Sequence, residues 1–593
     1  MKETVHWDLT NIYPSIDSKE FTASLADTTK NIDKLEKLLN SFESAESSKE
    51  TFSESALSVI RQYEAIIDGY ETAAAYANAC LTVDTTNRKS IFGLNKAEEV
   101  GVKVQGISVL FRKFIQDNET QILKLTEDGA ILEEYRFVLD ETITEAKHMM
   151  SPEMENLASD LNRTGSDAFS RLQESISSLA SAEIDGEKKT VIELRTLATS
   201  EDRNLRKKAY DAEISVWKEH EVAFAAALNG VKGSCITLEK RRGWNDPLEH
   251  AAFLSRVNMK VIDSLVGTIE KNFSIFRRYM HAKAKALKLN RLAYWDLFAP
   301  IGKSSKNWTY DEARRFIVQQ YTAFNPKQGE FVSNAFDKHW IDPFPVAGKT
   351  GGAYDTYIPS VKESRVFANF NNDYDGVFTL SHELGHAWHD HIVSTQPALL
   401  RAYPMTLAET ASIFGEYIVF KGAVEQATGL EKAILIENYL SGANQTCVDI
   451  LARFYFEKEL FAQRAEGELV PNQLCSIMVE AQKKAYGDGL DPSTIHPYMW
   501  AVKGHYYNAD YSFYNYPYAF GQLFGLGLYK EARKHESDHP FYEDLNRILS
   551  ITGKYDAMKV ASAGGCDIED PAFWQEGLDI VAEYVNQFEK LVK

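Results

Sequence analysis

His382 and His386 lie four positions apart, with Glu383 directly after the first histidine. On an α-helix this spacing is about 400° of rotation, so both imidazoles project from one face about one turn apart. Their nitrogens can then reach one zinc ion at roughly 2.0–2.1 Å. Glu383 is turned by about 100° from His382, where its carboxylate can act as a general base toward a water at the metal. The spacing predicts a catalytic site with one zinc ion per chain.

A catalytic zinc site needs a third protein ligand and one open position. The nearby side chains that could supply the ligand are His389, Asp390, His391, Glu409 and Glu416. A residue eight positions beyond His382 lies about 12 Å further along the helix axis, so one helix cannot bring three ligands to one ion. A second helix must supply the third ligand, and we favour Glu409. Glu416 and His389 are expected to orient the ligands by hydrogen bonds, although Glu416 could equally be a solvated surface acid.

Helical periodicity dominates the elements that must position these residues. Apolar residues recur at three- and four-residue spacing over 17–125, and 130–190 continue in the same manner, with interruptions at Pro152 and Gly186. Glycine and proline are concentrated between about 340 and 380, around two extended candidates at 353–358 and 365–370. These strands predict a hairpin that leads into a helix starting near Thr379. We therefore expect a mainly α fold with a small antiparallel sheet next to the zinc helix.

A histidine and four tyrosines form a second polar group: His505, Tyr507, Tyr511, Tyr514 and Tyr518. The tyrosines would share one face of a helix, but Pro517 disfavours a helix through the whole stretch. One interpretation is an aromatic stripe in the core. The other is a set of donors that hold a substrate carbonyl and the oxyanion formed when water attacks, because buried phenol hydroxyls must find partners.

The bulk composition restricts the function further. The 65 basic and 85 acidic residues give a net charge of −20, which disfavours nucleic acid and anionic membranes as partners. No stretch approaches 18 uninterrupted apolar residues, and the N-terminus lacks the apolar region of a signal peptide. The five cysteines are scattered without a Cys-x-x-Cys pair, which indicates a reducing compartment. We expect a cytoplasmic protein that binds neither nucleic acid nor membranes.

Five segments carry a resemblance to known proteins: 7–14 (WDLTNIYP), 200–210 (SEDRNLRKKAY), 378–389 (FTLSHELGHAWH), 408–412 (AETAS) and 513–521 (FYNYPYAFG). They resemble the M3 metallopeptidases, specifically the oligoendopeptidase F branch, which is related to thimet oligopeptidase. The last three segments together are specific, and the first two are weak alone. Thimet oligopeptidase has a glycine-rich loop after the histidine that corresponds to His505, whereas this chain has YYNAD at 506–510.

The resemblance implies a mostly helical, bowl- or clam-like fold with a deep channel that admits only short unfolded peptides. Zinc would lie at its floor, with Glu409 as the third ligand, in agreement with the spacing. The resemblance also implies that His505 and one or more tyrosines bind the substrate. Tyr514 is the first candidate for a catalytic role beside His505, and Tyr507 and Tyr511 are expected to bind substrate.

Together these features predict a zinc metalloendopeptidase that hydrolyses internal bonds of short unfolded peptides. Glu383 would take a proton from water and pass it to the leaving amine, while His505 and Tyr514 stabilise the oxyanion. The peptide would add to the strand at 365–370 by main-chain hydrogen bonds, with Ala368 and Asn369 among the contacts.

Two other functions stay open on the sequence: an aminopeptidase or carboxypeptidase of the same chemistry, and a non-catalytic helical peptide-binding protein with an inert zinc. We divide the chain into an N-terminal helical region at 1–115, an oligopeptidase F-type helical domain at 116–195, and a zinc peptidase domain at 196–593. The sequence sets no oligomeric state.

Overall fold

The computed structural model describes residues 5–40, 49–534 and 541–593. The mainly α prediction is confirmed. In chain order the helices are α1 (Lys19–Asn40), α2 (Lys49–Thr82), α3 (Arg88–Asp117), α4 (Glu119–Leu125), α5 (Arg136–Lys147), α6 (Pro152–Thr164), α7 (Ser166–Leu179), α8 (Val191–Thr196), α9 (Arg203–Arg242), α10 (Pro247–Leu254), α11 (Met259–Lys271), α12 (Phe273–Ala286), α13 (Tyr310–Phe324), α14 (Pro326–Asp337), α15 (Tyr374–Val393), α16 (Ala398–Arg401), α17 (Met405–Gln426), α18 (Gly429–Asn444), α19 (Ile450–Glu466), α20 (Pro471–Tyr486), α21 (Met499–Val502), α22 (Tyr516–Lys534), α23 (Phe541–Ser550), α24 (Ala557–Ala563) and α25 (Pro571–Leu591). The strands are β1 (Ser181–Ile184), β2 (Glu187–Thr190), β3 (Ile341–Asp342), β4 (Tyr354–Ile358) and β5 (Glu363–Phe367). Within the described residues, no helix combines the length and apolar character that a membrane crossing needs.

Two compact units make up the chain, and each is assembled from three segments. The first comprises Met1–Lys147, Lys306–Gly422 and Ala532–Gly565, and the second comprises His148–Ser305, Ala423–Glu531 and Cys566–Lys593. The sequence-based division at 1–115, 116–195 and 196–593 stays a prediction.

An apolar core joins the long N-terminal helices of the first unit. Phe21 of α1, Ile60 of α2 and Phe111 of α3 are buried in it, as is Leu139 of α5. Burying a side chain of this size contributes about 1.5–3 kcal/mol. These helices exist because their apolar stripes pack together, as the three- and four-residue spacing predicted.

The sheet of the first unit has the strand order β3-β5-β4. The predicted hairpin is confirmed, since β4 and β5 pair antiparallel from Tyr354 opposite Phe367 to Ile358 opposite Glu363. This antiparallel pair is the small sheet that was expected beside the zinc helix, and β3 extends it by pairing parallel to β5 on its other side. β3 has only two residues, too few to show a periodicity in the sequence.

The helix that carries His382 begins at Tyr374, five residues before the predicted start at Thr379. Asp373 supplies the reason, because its side chain accepts a hydrogen bond from the Gly376 backbone N–H at 2.9 Å. Such an N-cap satisfies one of the free donors in the first turn.

A second hairpin, β1–β2, lies in the second unit where helix was expected within 130–190. Asp185 and Gly186 form its two-residue turn with positive φ values of 52° and 83°. An Asp-Gly pair is a favoured turn for two-residue hairpins, because both positions need a left-handed backbone. The helical expectation at 181–190 is therefore wrong, although the turn signal was present.

One buried lysine fastens the end of the β3-β5-β4 sheet. The Lys349 side chain is 1% exposed and lies 2.6 Å from the Asp342 carboxylate. Its ammonium also donates to the carbonyl oxygens of Phe344 at 2.9 Å and of Ala368 at 2.7 Å. A buried charge with this many partners stabilises one arrangement of the strands, because losing the partner leaves the other charge unpaired.

We expect Lys349→Met to destabilise the first unit by about 3–5 kcal/mol, because it leaves the Asp342 carboxylate buried without its cation. Thermal melting followed by circular dichroism measures the effect, and adding Asp342→Asn should recover part of it. Lys338→Met is the matched control, since its side chain is 58% exposed and its ammonium lies 4.0 Å from Glu363, where an ion pair contributes about 0–1 kcal/mol. Equal melting temperatures for both single variants would contradict the anchoring role of Lys349.

Candidate metal centre

Two helices of the first unit bring three metal-binding side chains together. His382 and His386 project from α15, and Glu409 projects from α17. The Glu409 Oε2 atom lies 3.2 Å from Nε2 of His382 and 3.4 Å from Nε2 of His386. One ligand atom from each residue lies within 4.8 Å of the other two, so the three could hold a metal ion.

Gly385 permits the close approach of α15 to α17. A Cβ atom at this position would lie 2.6 Å from the Ala411 carbonyl oxygen and 2.6 Å from the Ser412 Cα atom. These are backbone atoms, which cannot rotate away as a side chain can. This close packing lets Glu409 reach both histidines.

A hydrogen-bonded contact one turn earlier fixes the same crossing. The Ser381 hydroxyl donates to the Gly415 carbonyl at 3.1 Å, and the Tyr321 hydroxyl donates to the Ser381 carbonyl at 2.8 Å. Tyr321 of α13 is fully buried. Helix α15 is therefore held against two neighbours at the position directly before His382.

Glu416 lies where a residue that orients His382 must lie. Its Oε2 atom is 3.0 Å from Nδ1 of His382. When Nδ1 carries the proton and donates to Glu416, the Nε2 lone pair would be available to a metal ion. This contact favours the orienting role over that of a surface acid, although the Glu416 side chain is 40% exposed.

His389 does not have the predicted role. Its ring is fully buried and stacks on Tyr403 with the centroids 4.1 Å apart. Nε2 lies 2.8 Å from the Thr552 hydroxyl, and no hydrogen bond to a candidate ligand is found among the described residues. Burial lowers the pKa of His389 to about 3. The prediction that His389 orients a metal ligand is therefore wrong, because it follows His386 by three residues but faces the packing around Thr552.

The carboxyl group of Glu383 is held beside the cluster. The residue is 7% exposed, and the Asp355 backbone of β4 lies close enough to its carboxyl group to lower the pKa slightly. Burial raises the pKa of Glu383 above its ordinary value. A carboxylate with a raised pKa holds a proton more firmly than an exposed one, which suits a general base.

The pKa of Glu409 is shifted in the opposite direction to that of Glu383. Burial opposes its ionisation, but hydrogen bonds from His382 and His386 outweigh that effect and hold the pKa of Glu409 well below its usual range. The Ser412 hydroxyl adds a hydrogen bond to Oε2 at 2.8 Å. Two imidazoles and one anionic carboxylate are a donor set that catalytic zinc prefers.

A pair of buried acids next to the base was missed in the sequence. Burial raises the pKa of both Asp355 and Asp390, and the neighbouring Asp390 raises that of Asp355 further. The Tyr403 hydroxyl donates to Asp390 at 2.8 Å. One carboxyl lies on a strand and the other on α15, so no spacing rule joins them.

A second group, in the second unit, contains His505 and three of the tyrosines. The Tyr514 ring centroid is 5.8 Å from that of His505, 6.0 Å from that of Tyr511 and 5.7 Å from that of Tyr518. The Tyr514 and Tyr518 hydroxyls are 2.9 Å apart. The predicted clustering of these side chains is present in the structure.

These tyrosines do not share one helix, in line with the interruption that Pro517 indicated. His505 lies in a short 3₁₀ turn, Gly504–Tyr507, and α22 begins only at Tyr516. Pro517 stands in the first turn of α22, where its missing N–H costs nothing. The rings therefore meet through an irregular loop.

Tyr507 is excluded from substrate contact. Its side chain is fully buried, and its hydroxyl has no hydrogen-bond partner among the described residues. The 3₁₀ turn points this ring into the core, whereas Tyr511 and Tyr514 stay partly exposed. The assignment of Tyr507 to substrate binding is wrong, and those of Tyr511 and Tyr514 stay predictions.

The predicted peptide-binding strand at 365–370 is also wrong, since β5 is the central strand. The Ala368 N–H donates to the Asp342 carbonyl at 3.0 Å, and its own carbonyl accepts from Lys349. The Asn369 side-chain amide donates to the carbonyls of Thr350 at 2.9 Å and Gly352 at 2.8 Å. Ala368 and Asn369 thus hold the sheet and its preceding loop and leave no free strand edge for a peptide.

Two family models match the chain. Peptidase family M3 matches residues 196–580, and Oligopeptidase F matches residues 114–179.

Similar proteins span most or all of the chain. An oligoendopeptidase F homolog of Lactococcus lactis is 25% identical over 622 residues, covering 100% of this chain and 98% of the relative. Oligopeptidase PepF of Bacillus subtilis is 24% identical over 494 residues, covering 80% of this chain and 72% of the relative. The crystal structure of oligoendopeptidase-F from Enterococcus faecium superposes with a TM-score of 0.69 at 19% identity, covering 97% of this chain and 99% of that chain. The extent of the first family match shows that the chain is a peptidase and belongs to peptidase family M3, a family of metallopeptidases.

Proposed function

We propose that this peptidase is a zinc endopeptidase that hydrolyses internal bonds of short unfolded peptides in the cytoplasm. The observation that carries the proposal is the convergence of His382 Nε2, His386 Nε2 and Glu409 Oε2, with Glu383 buried next to them. The names of the relatives, oligoendopeptidase F and oligopeptidase PepF, support peptides as the substrate class.

The donor set fits zinc on its chemistry. Three protein ligands of nitrogen and oxygen type leave one position open, as in catalytic zinc sites. Zinc, when bound, acts as a Lewis acid that polarises a peptide carbonyl and lowers the pKa of water. Glu416 fixes the His382 ring so that Nε2 is the coordinating atom.

Glu383 is the group that moves the proton. It would take a proton from the attacking water and deliver it to the leaving amine. Its burial between α15 and the backbone of Asp355 restricts the carboxyl group, which reduces the freedom that would be lost on reaching the transition state. Burial of Glu383 keeps competing water away from the carboxylate and strengthens its electrostatic interactions.

A peptide would lie along β4 instead of β5. Within the described part of the sheet, β4 is an edge strand with no partner on its outer side. Asp355 is the β4 residue whose backbone lies next to the Glu383 carboxyl group. Addition of a peptide to this edge uses main-chain hydrogen bonds, which are insensitive to substrate sequence.

His505 and Tyr514 keep their proposed role as donors to the substrate oxyanion, with Tyr511 as a further substrate contact. This part of the proposal is supported by the sequence segment at 513–521 and by the clustering of the rings. Donors of this kind stabilise negative charge only when they carry a proton toward it.

The rival functions separate clearly. Membership of family M3 makes the chain a peptidase, so the non-catalytic scaffold is set aside. An aminopeptidase or carboxypeptidase would use the same metal chemistry and would differ by recognising a chain end.

Glu383→Gln should retain zinc and reduce kcat by roughly 100- to 10,000-fold, because the general base is lost while the ligands stay. An internally quenched peptide measures kcat, and elemental analysis measures zinc in the same preparation. Near wild-type turnover in a zinc-loaded variant would show that another group is the base.

Glu409→Ala should lose zinc on dialysis, because one of three ligands is removed. Glu416→Ala should keep zinc but bind it roughly 10- to 100-fold more weakly, since only the orientation of His382 is lost. Glu425→Ala is the matched control, because this exposed glutamate lies on the same helix outside the cluster. Full retention of zinc by Glu409→Ala in elemental analysis would identify a different third ligand.

Digestion of a mixed peptide library tests the proposed function as a whole. We expect internal cuts in short peptides, read by mass spectrometry, and no cleavage of a folded protein added to the same reaction. A chelator should abolish the cuts, and added zinc should restore them. Removal of single residues from one chain end would favour the exopeptidase alternative.

A further inference from the structure

A hydrogen-bonded chain leads from a buried acid of the second unit to His505. Asp449 forms an ion pair with Arg453 one turn later, and the Arg453 Nη1 atom donates to Oδ1 of Asn515 at 3.1 Å. The Asn515 Nδ2 atom lies 2.7 Å from Nε2 of His505. Asn515 is 3% exposed, so water does not compete for these bonds.

The donors and acceptors in this chain leave one assignment. A guanidinium only donates, so the amide oxygen of Asn515 must face Arg453. The amide nitrogen therefore faces His505, and because it also only donates, Nε2 of His505 must accept. A neutral imidazole that accepts at Nε2 carries its proton at Nδ1.

The charges around the ring keep it neutral. Those that face it are three cations and one acid: Arg453, Lys503, Lys232 and Asp449. Burial and the three cations lower the pKa of His505 to about 2. The ring does not take up a second proton at any pH at which a cytoplasmic enzyme works.

Arg453 is itself fixed. Its acid partner Asp449 also accepts a hydrogen bond from the buried Tyr486 hydroxyl at 3.0 Å. Asp449 ends a π-helical turn, Gln445–Asp449, that runs directly into α19. Such turns are uncommon and often occur at functional sites. The guanidinium therefore cannot swing away to let the Asn515 amide turn over.

We propose that Asn515, held by Arg453, is a positioning residue that fixes His505 as the neutral tautomer with its proton on Nδ1, so that Nδ1–H is the atom offered to the substrate. Among the described residues no hydrogen bond to Nδ1 of His505 is found, which leaves this donor free. The inference rests on the proposed function for the contact between His505 and substrate, but the tautomer itself does not.

The tautomer can be read directly from the zinc-loaded full-length protein labelled with ¹⁵N-histidine. Comparison with His505→Gln identifies the His505 signals, and two-bond proton–nitrogen correlations distinguish the two neutral forms. We expect Nδ1–H in the wild type and its replacement in Asn515→Asp, whose carboxylate accepts from Nε2–H. A wild-type Nε2–H tautomer would overturn the proposal.

Asn515→Asp also gives a kinetic signature. At pH 8 the variant should lose roughly 100-fold in kcat, the cost of removing one oxyanion donor. The added carboxylate raises the pKa of His505, and the protonated ring donates from both nitrogens. The ratio of variant to wild-type kcat should therefore rise as the pH falls through that pKa and be lowest at high pH. Dividing by the wild type removes the pH dependence of the metal centre.

Asn508→Asp is the matched control for charge and position. Its Oδ1 atom accepts from the backbone N–H groups of Asp510 at 2.8 Å and Tyr511 at 3.1 Å, bonds that a carboxylate also accepts. Its kcat ratio should stay near one and flat with pH. A flat ratio for Asn515→Asp, whether near one or reduced, would overturn the positioning role, because a general structural defect does not titrate with His505.

A failure of the proposed function would give a different result from a failure of the tautomer assignment. If His505→Gln leaves kcat/KM unchanged, His505 does not contact the substrate and that part of the proposed function fails. The ¹⁵N spectrum would still show whether Arg453 and Asn515 set the tautomer. Melting temperatures and zinc content of each variant confirm that the comparison is made between folded, loaded proteins.

Discussion

The crossing of α15 and α17 at Gly385 governs the metal centre. The three candidate ligands lie on two helices, and helix axes in proteins usually stay 8–10 Å apart. The carboxylate of Glu409 spans that gap to two imidazoles only because the helix backbones almost touch at this point, with no room for a Cβ atom. The same crossing places Glu416 against Nδ1 of His382. A methyl group at Gly385 would therefore push α15 and α17 apart and move all three candidate ligands together.

The general base depends on a second structure, the small sheet. Glu383 is on α15, but the backbone next to its carboxyl group is that of Asp355 on β4. β4 is positioned by β5, and β5 by β3 and the buried ammonium of Lys349, which binds Asp342 and the carbonyl of Ala368. The residues at 365–370 thus serve the chemistry by supporting the edge strand, and this explains why their own backbone is already hydrogen bonded.

The parts of the site that the sequence predicted depend on local geometry. His382 and His386 share a face because one helical turn separates them, and the need for a second helix led to Glu409. The errors arose where the pairing of distant segments or an irregular turn decides the position of a residue. β5 is central because of two residues at 341–342, and Tyr507 is buried because of a short 3₁₀ turn. Asn515 lies in the segment 513–521 that carries the resemblance, but nothing in the sequence connects it with Arg453 on α19.

Three histidines show how surrounding charge assigns a role to the same side chain. Burial disfavours a charge on His382, but the carboxylates of Glu409 and Glu416 outweigh burial and raise the pKa of His382. The His382 ring therefore lies among anions, which a bound metal cation also requires. Burial and the cations around His505 keep it a neutral donor. His389 faces neither ligand acid, and burial, together with the neighbouring His386, leaves it neutral against Thr552. Sequence position makes His389 look like a partner of the metal site. Its neighbours make it part of the packing, and a histidine's function is therefore decided by the charges that the fold places around it.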